Sequence, residues 1–201
     1  MSTPDAATRS GVELLERSLA WTRLALDGVH DAEAGLPTPC GAWCLADLLV
    51  HMVDSLEVVA ELGLGRVAGS GPPPSSRRPE VLADHLRVLG CVLLGHWTAE
   101  TGENPVQVGP ASLNRVVAAE IAGLEIAVHG WDVAACRGRG DLIPSRLAAA
   151  LLPVALARVP AAGRAGRFAP PLRPSSSDPA SLLLAHLGRD VRWPHVPDSP
   201  P

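Results

Sequence analysis

The chain has 201 residues, 47% of them hydrophobic and 19% charged, with a formal net charge of −4. This length suffices to bury a core of its own. The mild negative charge and arginines scattered singly or in pairs argue against a nucleic-acid footprint or a polybasic membrane patch. All 17 cationic residues other than histidine are arginine and tyrosine is absent, a bias toward GC-rich codons that points to a high-GC bacterial source.

The opening MSTPDAATRSGV is polar and lacks the apolar run of a signal peptide. The longest membrane candidate, LAAALLPVALA, falls short of the roughly 20 apolar residues that a span needs. A cytoplasmic location is expected, with Cys40, Cys44, Cys91 and Cys136 reduced.

Six helical segments follow in order. In SGVELLERSLAWTRLALDGV, Ser10 and Glu13 stand at capping-box spacing, and Leu14, Leu15, Leu19, Trp21 and Leu26 form an apolar stripe. The second helix follows the Pro-rich turn of PTPCGAWCLADLLVHMVDSLEVVAEL, with apolar residues at 45, 48, 49, 52, 53, 56 and 59. The Gly, Ser and Pro of GLGRVAGSGPPPSSRRP predict a mobile loop. The third helix starts at Pro79, and the fourth, SLNRVVAAEIAGLEIAVHGWDVAAC, is ended by Gly138. In SRLAAALLPVALARV, Pro153 predicts a kink or break. The sixth, DPASLLLAHLG, has Asp178 as N-cap and Pro179 at its first position.

No segment alternates as a strand would, and nothing repeats. The expectation is an all-α four-helix bundle with one or two short extra C-terminal helices. Residues 1–190 should form this domain, and residues 191–201 a flexible C-terminal tail.

The fourth helix is apolar on nearly all sides, yet Glu125 and His129 stand one turn apart in its middle, about 40° around the axis. A carboxylate in such surroundings needs a proton, an arginine or a metal. Residues at i and i+4 project the same way, so the pair reads either as hydrogen-bonded partners or as two ligands for one ion. His51 on the second helix is a satisfied core residue or, if helices two and four are neighbours, a third ligand. Two imidazoles and one carboxylate suit zinc, and three ligands leave a coordination position open.

The stretches LPTPCGAWCLADLLVHMV, EIAVHGWDVA and FAPPLRPSSSDPASLLLAHLGRD together resemble the N-terminal domain of mycothiol-dependent maleylpyruvate isomerases, within the DinB/YfiT-like superfamily of metal-binding bundles. The resemblance spans about residues 10–190. It implies a divalent metal, zinc, held by His51, Glu125 and His129, and mycothiol as co-substrate. The isomerases carry a further sterol-carrier-like domain, which is not expected in a sequence of this length. The reaction expected here is therefore a related one. The family often has Thr or Ser where this sequence has Cys44.

Cysteine is a poor N-cap. Cys44, two turns before His51, reads as a small buried hydrophobe or as a group approaching the metal. Trp131 packs near the end of the helix. Asp132, about 20° from Glu125 around the helix, is a hydrogen-bond partner that could orient His129 or His51. Cys40 reads as packing. His30, His85, His96, His186 and His195 show no ligand spacing. Arg66, Arg77 and Arg78 are either solubilising charges or contacts to an anionic substrate.

The function expected is a metal-dependent, thiol-using transferase or isomerase acting on a small electrophilic metabolite. The alternatives are a metal-hydroxide hydrolase or lyase without thiol, and a non-catalytic metal- or ligand-binding accessory bundle. The partners expected are a small-molecule substrate and a low-molecular-weight thiol, without nucleic acid or membrane, and a homodimer is left open.

Overall fold

A computed structural model describes residues 6–41, 43–67, 74–99, 105–108, 110–160, 164 and 168–194. Among them run α1 (Ala6–Ala25), α2 (Leu45–Gly63), α3 (Pro79–Ala99), α4 (Arg115–Cys136), α5 (Ser145–Arg158) and α6 (Pro179–His186). A 3-10 turn at Asp31–Glu33 and the strands β1 (Arg66–Val67), β2 (Val106–Val108) and β3 (Ala111–Leu113) lie between them. The chain is thus a four-helix bundle, α1–α4, with α5 and α6 added. No helix among the described residues is long and apolar enough to cross a membrane.

Helix starts follow local chemistry. The Asp178 carboxylate accepts from Ala180 N–H at 2.9 Å, with Pro179 next in the first turn. α4 begins later than its periodicity predicts, capped by Asn114, because Ser112 and Leu113 belong to β3. α1 already runs from Ala6, so Ser10 lies inside the helix and is not its cap.

Two expectations are corrected. A small sheet exists, with β1 parallel to β2 and β2 antiparallel to β3. Its strands span only two or three residues, too few for alternation to show. α5 also continues through Pro153 without a break. Leu151, Val154 and Ala155 beside the proline are buried in the core shared with α6, and that burial outweighs the lost hydrogen bond.

Two apolar cores flank α4. Leu48, Leu49, Met52, Leu82, Leu86, Ala122 and Ile126 join α2, α3 and α4 on one side. Leu124, Ala127, Val128 and Trp131 meet α5 and α6 on the other. A helix buried on both sides is apolar all round, which is the pattern that the sequence shows. α1 lies along α4, where Gly130 permits a close approach: a Cβ there would stand 2.5 Å from Thr22 Oγ1 and 3.1 Å from Thr22 Cα. Across the same contact, Thr22 Oγ1 donates to Ile126 O at 2.8 Å and Trp21 Nε1 to Ala127 O at 3.2 Å.

Val191 and Trp193, the start of the expected tail, pack against the second core. Residues 195–201, with His195, and residues 68–73 of the expected mobile loop lie outside the described residues.

Candidate metal centre

α2 buries Leu48, Leu49, Met52 and Val53, which leaves His51 on its flank toward α4. Glu125 and His129 come from the middle of α4. The three side chains converge: Glu125 Oε1 lies 3.0 Å from His51 Nε2 and 3.1 Å from His129 Nε2. The two imidazole rings stand edge to face with centroids 5.0 Å apart. Each residue offers a donor atom within 4.8 Å of the others. Bonds of about 2.1 Å at tetrahedral angles need donors about 3.4 Å apart, so spacing and donor chemistry both fit a divalent ion.

His129 is held from behind. Its Nδ1 lies 2.9 Å from Asp132 Oδ2, one turn further along α4, and Asp132 is completely buried. Arg189 follows α6 and meets this carboxylate, Nη2 to Oδ2 at 3.1 Å and Nε to Oδ1 at 3.4 Å. Gly188 makes that return possible with φ +79°, and any Cβ there would lie 2.8 Å from Ala169 Cβ. Cys40 Sγ completes the group, donating to Asp132 Oδ2 at 2.9 Å and lying 3.7 Å from His129 Nδ1.

Burial disfavours each charge in this network, and the partners overcome it. Burial pushes the Asp132 carboxyl up, but the Arg189 charge and the bond to His129 hold it down at about 2. Glu125 likewise stays well below the usual carboxylate range, because bonds from His129 and His51 outweigh burial. His129 is raised well above its ordinary value, since hydrogen bonds to Asp132, Cys40 and Glu125 outweigh desolvation. Burial pushes the Cys40 thiol up. Cys40, His129 and Asp132 form a second cluster with ligand-like spacing. Arg189 already supplies the positive charge there, so this cluster reads as the support of His129.

The loop before α2 forms the mouth. Thr38, fully buried, donates from N and Oγ1 to Trp43 O at 3.2 and 2.8 Å, and its hydroxyl accepts from Cys40 N–H at 3.2 Å. Cys40 and Trp43 are fixed in this way on one short turn. The Trp43 ring lies over His51 with centroids 4.7 Å apart. From the C-terminal side, Phe168, Ala169, Gly188 and Arg189 close a cavity of about 700 Å³ into which His51, Glu125 and His129 face. A smaller apolar cavity of about 210 Å³ between α1, α2 and α3 contains none of the ligand-like clusters.

Other expectations are corrected by these contacts. Cys40 is no mere packing residue, since it bonds to Asp132 inside the site. Cys44 starts α2 but turns to Asp47, which accepts from its thiol at 3.0 Å and its N–H at 3.2 Å. It is absent from both clusters. Arg77 pairs with Asp47, and Arg78 Nε with Asp31 Oδ2 at 2.7 Å, so both arginines brace loops outside the cavity. The Arg66 side chain lies outside what is described. Trp131 is buried core, and α4 continues one turn past Asp132 to Cys136. His30 caps the 3-10 turn, His96 meets Ala60 O at 3.1 Å and His186 meets Val159 O at 3.0 Å. Arg189 and Phe168 were missed, although both lie in the C-terminal stretch that carried the resemblance.

Fold and site together define a helical bundle with a two-histidine, one-carboxylate centre. The solved mycothiol-dependent maleylpyruvate isomerase shares this fold, with a TM-score of 0.57 at 18% identity over 79% of this chain and 72% of that one. A mutant of the same isomerase superposes with a TM-score of 0.52 at 17% identity and the same coverage. The chain thus shares the helical-bundle fold of that isomerase. No family model matches the chain. Two proteins of Mycobacterium tuberculosis, "Uncharacterized protein Rv0738" (strain ATCC 25618 / H37Rv) and "Uncharacterized protein MT0763" (strain CDC 1551 / Oshkosh), are each 30% identical to it over 178 residues. The match covers 83% of this chain and 91% of each relative. The chain belongs to the family of these mycobacterial proteins.

Proposed function

We propose that this protein is a cytoplasmic, metal-dependent enzyme that uses a low-molecular-weight thiol, mycothiol, to transfer onto or isomerise a small electrophilic metabolite. The observation that carries the reading is the meeting of His51, Glu125 and His129 from two helices around one point that opens into a cavity. Likeness in fold to a mycothiol-dependent isomerase supports the choice of thiol chemistry.

His51, Glu125 and His129 would hold a divalent ion, most simply zinc. Such an ion supplies a Lewis acid that lowers the pKa of a coordinated thiol toward neutrality. The chain's own residues do the rest. Asp132 fixes the His129 ring so that Nε2 points at Glu125. Arg189 balances the Asp132 charge, which lets that carboxylate stay ionised at no exposure. Among the three donors His129 is the buried one, so its bonds to Glu125 and Asp132 are the least screened by water.

Elemental analysis of purified protein tests the reading. The wild type should carry close to one equivalent of zinc, and His51→Ala a small fraction of that with unchanged circular dichroism. Full occupancy in the variant would contradict the assignment.

A further inference from the structure

The chain contains five Trp, one Phe and no Tyr. Trp21, Trp97 and Trp131 are buried in the helical packing, and Trp193 packs against the second core. The remaining two aromatic residues, Trp43 and Phe168, both line the cavity that contains His51, Glu125 and His129, and Phe168 rests its other side on the second core. Trp43 is 38% exposed. Aromatic surface turned into a cavity beside three donor side chains, in a chain so poor in aromatics, calls for an occupant.

Both residues are held in place. The Trp43 carbonyl is gripped by both donors of buried Thr38, and its ring rests on His51 at a tilt of 50°. Phe168 N–H donates to Arg164 O at 2.9 Å, and the Arg164 guanidinium lies 5.8 Å from the ring centre. Arg164 is itself tied to Ala169 O at 2.9 Å, His186 O at 2.6 Å and Val159 O at 3.2 Å. Fixed aromatic surfaces bind a flat partner with little loss of conformational freedom.

We infer that Trp43 and Phe168 form a recognition wall for a planar, unsaturated or aromatic face, so that the electrophile taken by this site is a conjugated or aryl compound rather than a saturated one. This rests on the thiol-using reading above. Trp43 beside His51 places such a face next to the donors, where a thiol adduct of the electrophile would also lie.

Benzyl mercaptan joins a thiol to a planar ring in the manner of such an adduct, and cyclohexylmethanethiol is its saturated counterpart. Each is titrated into cobalt-loaded protein and followed by sulfur-to-cobalt charge-transfer absorption. The wild type should bind benzyl mercaptan about five-fold more tightly, the size of a stacking contribution. Trp43→Leu should lose most of this preference. Phe168→Leu, whose ring does not touch a ligand histidine, should lose part of it and carries the test if Trp43→Leu fails to load cobalt. Equal affinity for the two thiols in the wild type, or an unchanged preference in Phe168→Leu, overturns the inference while leaving thiol binding intact. No charge-transfer band with either thiol overturns the thiol reading, and the inference falls with it.

Discussion

The Asp132 carboxylate lies 2.9 Å from the far nitrogen of His129, so the ring that faces Glu125 with Nε2 is anchored through Nδ1. Asp132 is in turn completely buried and paired with Arg189, whose side chain is only 10% exposed. Removing Arg189 would leave a carboxylate without its countercharge in the interior. Arg189→Ala should therefore cost about 3–5 kcal/mol in urea denaturation, and Arg189→Lys less. Asp132→Asn leaves Arg189 without its countercharge, so it should also lose stability while staying helical by circular dichroism, and lower zinc affinity about 10–100-fold in a chelator competition. Unchanged affinity would remove Asp132 from the site.

The ligands themselves should separate metal binding from folding. His129→Ala and Glu125→Gln leave both apolar cores in place. Circular dichroism should stay helical in each while tight zinc binding is lost. Retention of a full equivalent of zinc by both variants would show that the ligands lie elsewhere.

The helical elements were largely legible in the sequence because apolar periodicity and capping are local. Glu125 and His129 stood out because they interrupt an all-apolar helix at i, i+4 spacing. His51 became a candidate only by supposing that helices two and four adjoin. The support of the site was less legible. Cys40 and Trp43 sit on a turn whose shape depends on buried Thr38, and Arg189 reaches Asp132 from 57 residues away through the backbone turn at Gly188. No periodicity encodes such contacts. The strands escaped notice because β1 and β2 pair Arg66 with Gln107 across a long separation with only two or three residues each.

Helix approach at Gly130 gives a packing test beside the site. The methyl of Gly130→Ala would meet Thr22 side chain and backbone, so α1 must move away from α4. The loss should be about 1–3 kcal/mol by denaturation. Gly130→Ala should cost less in a Thr22→Ala background, where Oγ1 is gone but the Cα and Cβ contacts remain. Wild-type stability in Gly130→Ala would contradict this packing.

Thiol reactivity follows burial. Burial pushes Cys136 up to about 12, whereas Cys91 is exposed. At pH 8 the Cys136 thiolate is then on the order of one molecule in ten thousand, so iodoacetamide on folded protein should label Cys91 and spare Cys136. Because the folded value lies above the unfolded one, this thiol's stability contribution is full below about pH 8.5. It is lost progressively as the pH rises toward 12. Peptide mapping across this range, together with denaturation at pH 8 and pH 11, checks both statements. Prompt labelling of Cys136 at pH 8 would contradict its burial.

The central claim is that His51, Glu125 and His129 hold a metal ion with room for a thiol. Cobalt-substituted protein titrated with mycothiol tests it most directly. Saturable sulfur-to-cobalt charge-transfer absorption should appear with the wild type and be absent from His51→Ala. A cobalt spectrum that saturating mycothiol leaves unchanged would contradict the account.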